Sequence, residues 1–264
     1  MIDMMPENKD KCVCNCTAFK GYHKYSKTLE IVVDYVQCES CGMVTAPEAV
    51  NYDLLKIYNT EYFKDVDYGW KGRAKILSIY MRYINIFVPL KKMHICDFGA
   101  GNGYLSKELI DNGFNVLAYE PFIQKDTYLE EKYYCDSPFD ADVLLMVEVF
   151  EHLTDAFEEI CKIISDFHNP KLIILTTNLT DNATEPLEEW FYLDPDSGHF
   201  TLWSKKSLTL LGEMYGYTFI SFDNAFLHIF CKKTDIKTCK RLKISSIPVK
   251  FAVKMRGLVK ELFK

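Results

Sequence analysis

The 264-residue chain lacks any apolar run long enough to cross a bilayer. Its most apolar stretch, Ile76 to Leu90, is broken by Arg82 and Asn85 and falls short of the roughly 18 apolar residues that a span requires. It lacks an excess of positive charge: 31 Lys and Arg stand against 37 Asp and Glu, a net charge of −6. That argues against a protein whose main task is gripping a phosphate backbone. The start, MIDMMPENKD, has neither the basic opening nor the apolar core of a secretory signal, so a cytoplasmic location is expected. No internal repeat or low-complexity stretch is visible. With 48% apolar and 26% charged residues, extensive disorder is excluded. The length suits one generous domain, or one domain with a small appendage.

Ten cysteines are present, and their placement is uneven. Cys12, Cys14, Cys16, Cys38 and Cys41 crowd the first 41 residues, whereas Cys96, Cys135 and Cys231 sit in apolar or strand-like runs as small core residues. The N-terminal group reads C-x-C-x-C and then C-E-S-C-G, joined by an extended segment, Leu29–Val36. Two close thiol groups on separate turns can present four sulfurs to zinc, and Gly42 suits the turn after the second pair. A segment this short cannot build a core alone, so a structural metal staple is physically reasonable. Five candidates for four positions leave one spare; unligated thiols or a redox switch are the competing reading.

Residues 51–90 read as an aromatic, polar connector followed by a helix over 71–88. From 91 to 235 strands and helices alternate, which implies a parallel sheet with helices on both faces. Strands are expected at 94–98, 115–119, around 132–135, at 142–149, 171–177, 217–222 and 226–232, the last two forming a hairpin. The expectation is a Rossmann-like, seven-stranded, mostly parallel α/β sheet with an antiparallel edge hairpin and a small N-terminal zinc-binding segment over 1–50. In such sheets ligands sit beyond the carboxyl ends of the strands. Here that position is Asp97-Phe98-Gly99-Ala100-Gly101-Asn102-Gly103, whose glycines admit a close ligand, followed by Glu120-Pro121, where a carboxylate can take both hydroxyls of a ribose.

DFGAGNGYLS followed by VLAYEP resembles the first two motifs of class I S-adenosylmethionine (SAM) dependent methyltransferases. The likeness extends over roughly 60–235, through EVFEHL and HFTLWS. It implies that Asp97, Gly99 and Gly101 surround the methionine part of SAM within the loop Ala100–Gly103, that Glu120 holds the ribose beside Pro121, and that Asp136 lies near adenine. Tyr62 and Phe63 fall where relatives cover the cofactor with aromatics. The N-terminal cysteine segment is similar to one in bacterial methyltransferases acting on sugars. SAM carries no pyrophosphate, so the acidic Asp97 suits its ammonium and sulfonium better than it suits a nicotinamide dinucleotide.

Glu148, Glu151 and His152 cluster after the strand at 142–149, and His199 lies in a later loop. Glu148 also falls beside the expected cofactor. The bland reading has Glu148 bonding an amide, Glu151 capping a helix and His152 packing. The set resembles the metal quartet of small-RNA 2′-O-methyltransferases, which implies Mg²⁺ or Mn²⁺ polarising an acceptor hydroxyl. Without a metal, His152 or His199 could act as general base. Trp190, Phe191, Tyr192 and Trp203 offer faces for a sugar ring, or form a lid packed on itself. The tail 236–264 is basic and amphipathic, suited either to a membrane or protein partner or to packing on its own subunit. The expected activity is SAM-dependent O-methylation of a sugar, nucleotide-sugar or polysaccharide precursor. Sugar C-methylation, RNA 2′-O-methylation and a non-catalytic SAM-binding module are the alternatives.

Overall fold

The computed structural model describes residues 12–57, 69–121 and 128–262, with side chains to residue 250 except that of Leu55. Tyr62 and Phe63, expected over the cofactor, lie outside the described residues. Along the chain run β1 (Phe19–Ser26), β2 (Ile31–Cys38), β3 (Val44–Thr45), α1 (Trp70–Phe87), β4 (His94–Phe98), α2 (Tyr104–Asp111), β5 (Asn115–Tyr119) and β6 (Val143–Val147). There follow α3 (Ala156–Asp166), β7 (Leu172–Thr176), β8 (Thr201–Leu202), α4 (Lys205–Met214), β9 (Tyr217–Ser221), β10 (Leu227–Lys232) and α5 (Ile236–Leu262). They divide into two compact units, one drawing on the chain before Lys71, Glu148–Asp166 and Thr177–Tyr215, the other on Lys71–Val147, Phe167–Thr176 and the chain from Gly216.

The second unit holds a six-stranded sheet in the order β5-β4-β6-β7-β10-β9. VLLMV in β6 and LIILT in β7 are apolar at nearly every position because both faces of an inner parallel strand are covered. On α1, Ala74, Leu77, Ser78, Met81 and Ile84 recur every three or four residues and form its buried side. Leu77, Met81 and Ile84 of α1, Leu105 and Leu109 of α2 and Leu242 of α5 join Ile95, Val143, Leu145 and Ile174 of the strands in one core. These three helices therefore cover the same layer of the sheet.

The mostly parallel α/β sheet agrees with the sequence, but two details differ. The strand expected around Lys132–Cys135 is reduced to a single parallel bridge, Ala118↔Tyr134, after a 3₁₀ turn at Glu131–Tyr133. Pro138, four residues after Tyr134, has no N–H to extend a ladder. The sheet therefore has six strands, not seven. The antiparallel member is β10, which pairs with both β7 and β9 and lies one strand in from the edge. Asp223 makes the reversal by accepting from the N–H groups of Ala225, Phe226 and Leu227 with one oxygen.

The first unit holds an antiparallel sheet in the order β1-β2-β3-β8. β1 and β2 form a hairpin in continuous register from Phe19↔Cys38 to Ser26↔Ile31. β3 joins β2 to β8 through Val44↔Leu202 and Thr45↔Thr201. The expected small segment at 1–50 is therefore part of a larger body. Tyr22, Val33 and Tyr35 pack with Trp190, Tyr192, Phe200 and Leu202. Ser204 opens α4 with a capping box, its hydroxyl accepting from Ser207 N–H while Ser207 returns the bond.

Gly103 leaves no room for a side chain. Its φ is +74°, and an added Cβ would stand 2.6 Å from Leu129 Cβ and 2.6 Å from the Tyr134 hydroxyl. Gly103→Ala should lower stability by about 1–3 kcal/mol in urea unfolding; a variant as stable as the parent would show that the loop has room to relax.

Candidate functional site

The glycine loop leaves β4 at Phe98 and enters α2 at Tyr104. Gly99, Gly101 and Gly103 have φ of +71°, +53° and +74°, so all three are left-handed. Gly99 N–H donates to Tyr119 O at 2.9 Å, tying the loop to the end of β5. Glu120, the next residue, accepts from Gly101 N–H through Oε2 at 2.6 Å. The carboxylate expected to hold a ribose thus also braces the loop that faces it. Asn102 Oδ1 accepts from the N–H of Tyr104, the first residue of α2, at 3.2 Å.

Asp97, the penultimate residue of β4, is 2% exposed. It accepts from Ser106 Oγ at 2.6 Å. Burial pushes its carboxyl up to about 7; the Ser106 bond opposes this, and the charge of Glu120 adds to it. Ala100 and Asn102 are half-buried, and Pro121 and Asp136 are exposed at the same end of the sheet. Ser106 escaped the sequence reading; its signal was a hydroxyl on the first turns of the helix that follows the loop. Cys96 and Cys231 are fully buried, as expected, and Cys135 is partly exposed.

In the first unit, Glu151, His152 and His199 come together, with one ligand atom from each within 4.8 Å of the others. Glu148 is not in that group, so the expected quartet is a trio. Glu148 instead takes a left-handed backbone, φ +52°, unusual for a residue with a side chain. His152 Nδ1–H donates to Gly198 O at 3.1 Å and His199 Nδ1–H to Tyr192 O at 2.8 Å. On both rings Nε2 is then the nitrogen that offers a lone pair. Burial, with His199 beside it, holds His152 down to about 3, the Gly198 carbonyl acting against them. Its imidazole is neutral throughout the physiological range.

Glu151 is fully buried. Its Oε1 accepts from the Tyr192 hydroxyl at 2.6 Å, and that hydroxyl lies 3.3 Å from Thr177 Oγ1. Among the described residues, Glu151 Oε2 has no hydrogen-bond partner. Burial, reinforced by Glu148, raises the carboxyl well above its ordinary value. Glu151 Oε2 and the two Nε2 atoms form an oxygen and nitrogen donor set of the kind that could hold a divalent cation. Trp190, Tyr192 and Trp203 are at most 3% exposed, which overturns their reading as sugar platforms. They are core, and Tyr192 serves instead as Glu151's partner; only Phe191 points outward.

The N-terminal sulfurs resolve which cysteine is spare. Cys12, Cys14, Cys38 and Cys41 lie within 4.8 Å of one another, whereas Cys16 Sγ pairs with the Ala18 backbone. Tetrahedral zinc with Zn–S of about 2.3 Å places its sulfurs about 3.8 Å apart. Cys12–Cys14 at 3.8 Å and Cys14–Cys38 at 3.5 Å match that spacing. Burial pushes the Cys12 thiol up to about 12 and Cys41 higher, with Cys14 held low by bonds from its neighbours despite its burial. Ionising such a cluster requires a cation among the sulfurs, and the four residues fit zinc.

A family model described as "Methyltransferase domain" matches residues 72–221. That is more than half of the sequence: the chain belongs to the methyltransferase domain family, and it is a SAM-dependent methyltransferase. Comparison with curated protein sequences gives no match. Among solved structures, magnesium protoporphyrin IX methyltransferase from Synechocystis PCC 6803 is similar at 15% identity and TM-score 0.43, over 65% of this chain and 86% of that one. Human N-acetylserotonin methyltransferase gives 14% and 0.42, over 69% and 61% of the two chains. The methyltransferase domain of bacterial CtHen1-C gives 14% and 0.40, over 61% and 97%.

The sulfur geometry makes a direct prediction for zinc-loaded protein. Cys16→Ser should retain one zinc per chain by elemental analysis, and Cys38→Ser should lose it. Equal zinc contents in the two variants would dismiss the assignment.

Proposed function

We propose that the chain transfers the methyl group of SAM to a hydroxyl of a sugar, a nucleotide-sugar or a polysaccharide precursor. The observation that carries the cofactor half is the left-handed glycine loop braced by Glu120. Bare backbone at 99–103 leaves room for the methionine portion, and a carboxylate at the end of β5 matches the two hydroxyls of a ribose. Asp97, poised near neutrality, sharpens that match: a cationic sulfonium and ammonium favour its ionised form. Pro121 and Asp136 then flank the adenosine. A cytoplasmic setting goes with this reading, since zinc-ligating and unpaired cysteines persist in a reducing compartment.

An oxygen acceptor is supported by the trio Glu151, His152 and His199. A hydroxyl is a poor nucleophile at neutral pH and must shed its proton as the new bond to carbon forms. A divalent cation held by the trio would lower the pKa of an oxygen bound to it. With two nitrogens among three donors, the set suits Mn²⁺ better than Mg²⁺. Without a cation, Nε2 of His152 or of His199 is the group that would take the proton, and the burial that holds His152 down to about 3 favours His199. Tyr192 and Thr177 orient Glu151, while the Cys12, Cys14, Cys38 and Cys41 site is structural, since four thiolates leave zinc no open position.

The sugar is the part that rests on the cysteine segment's likeness to bacterial sugar methyltransferases, now without the inward-turned Trp190, Tyr192 and Trp203. The net charge of −6 weighs against the RNA alternative.

Glu120→Ala should weaken SAM binding by about tenfold, since hydrogen bonds to a charged group contribute about 1.5–3 kcal/mol. Titration calorimetry reads this directly, and an unchanged affinity would remove the ribose role. His199→Ala should leave SAM affinity intact and lower turnover about 10²–10⁴-fold. Screening nucleotide-sugars and phosphosugars with labelled SAM supplies the acceptor for that assay; methylated carbon in the product's NMR spectrum would refute O-transfer.

A further inference from the structure

Charge is distributed very unevenly. α1 carries four bases (Lys71, Arg73, Lys75, Arg82) and no acid; α5 carries eight bases and one acid, Glu261. Together the two helices hold twelve of the 31 Lys and Arg but only one of the 37 Asp and Glu, a local charge of +11. The rest of the chain carries −17. Separated along the sequence, the helices meet in the fold: Tyr83 of α1 donates to Ser245 O at 2.9 Å, and Arg241 of α5 reaches Phe87 O at 3.4 Å. Both bury their inner sides in the same core, so their outer sides form one surface.

That surface is also apolar in an unusual way. Of twelve large hydrophobic residues exposed among the described residues, six lie on these two helices, and all six are isoleucine. On α1, Ile76, Ile79 and Ile86 are 48%, 61% and 74% exposed; on α5, Ile236, Ile244 and Ile247 are 62%, 63% and 63% exposed. At 100° per residue each set falls on the outward arc of its helix, interleaved with exposed Lys75 and Arg82 or with Lys237, Lys240, Arg241 and Lys243. No helix among the described residues is long and apolar enough to cross a membrane. The residues Phe251, Met255, Leu258, Val259 and Leu262, expected to supply an apolar face in the tail, lie where side chains are not described, so the surface stands without them.

We infer that the outer side of α1 and α5 is a docking surface for an anionic phospholipid bilayer. The chemistry selects this partner. Lysines and arginines satisfy lipid phosphates and carboxylates, and lysine stems let the charge stay at headgroup level. Branched aliphatic side chains between them gain by entering the acyl boundary, as on interfacial amphipathic helices. A nucleic acid would use the charge but offers no hydrocarbon for six isoleucines, and among the described residues of the two helices none of the exposed large apolar side chains is a ring on which a base could stack. The remaining sequence, at −17, is repelled by the same bilayer, so the two helices are the part of the chain that an anionic surface attracts. The inference goes beyond the proposed methyl transfer and does not depend on it.

The test uses the full chain and sedimentation with vesicles of phosphatidylcholine alone or with 30% phosphatidylglycerol. Binding should require the anionic lipid and fall steeply with salt. Lys240→Glu with Lys243→Glu should reduce partitioning at least tenfold, at about fivefold per charge removed near the surface. Ile79→Ser with Ile86→Ser, on the other helix, should reduce it several-fold at constant charge, with circular dichroism and SAM binding unchanged. No sedimentation with anionic vesicles would overturn the inference. So would isoleucine variants that bind as well as the parent, or a labelled single-stranded RNA that binds more tightly than the vesicles do.

Discussion

Three left-handed glycines in five residues set the geometry on which the proposed cofactor site depends. A chain leaving a parallel strand and entering a helix over so short a distance must double back, and residues with a Cβ resist that path at 99, 101 and 103. The bond from Gly101 N–H to Glu120 then locks the turn against the neighbouring strand. Gly103 carries a further constraint, because Leu129 and Tyr134 crowd the space a side chain would need. Loop and carboxylate are therefore tied to each other by a direct bond.

Both units bury ionisable groups, and each manages the cost differently. Asp97 keeps a short bond from Ser106 and titrates near neutrality, so a cation arriving beside it would expel its proton. Glu151 has Tyr192 on one oxygen only, and its burial favours the neutral acid. Groups held this far from their ordinary behaviour destabilise the fold, and they persist where chemistry requires them.

Much of this organisation could be read from residue order. VLLMV and LIILT announce inner strands through unbroken apolar character, and Gly103 and Gly113 bracket α2. Clustering of cysteines pointed to a four-sulfur site. It could not say which of Cys12, Cys14 and Cys16 was spare, because alternate positions of C-x-C-x-C are equivalent until the chain turns into β1. β1 itself was missed: its sequence, FKGYHKYS, carries Gly21 and three bases and buries only Tyr22 and Ser26, so no alternation shows. β3 and β8, two residues each, are too short for any period. The aromatic and acidic stretch 185–203 fits an open platform or a closed core equally well on paper, and packing alone decided for the core.

The pairing of β3 with β8 also bears on how the molecule is made. Val44 and Thr45 leave the ribosome before their partners Leu202 and Thr201, which follow more than 150 residues later. During that interval β3 presents an uncovered edge, open to the wrong neighbour. A thiol cluster that captured its metal early would hold the nascent hairpin in register until the distant strand arrived. The same ion would then act as a guardian of synthesis as well as a fastening of the finished fold.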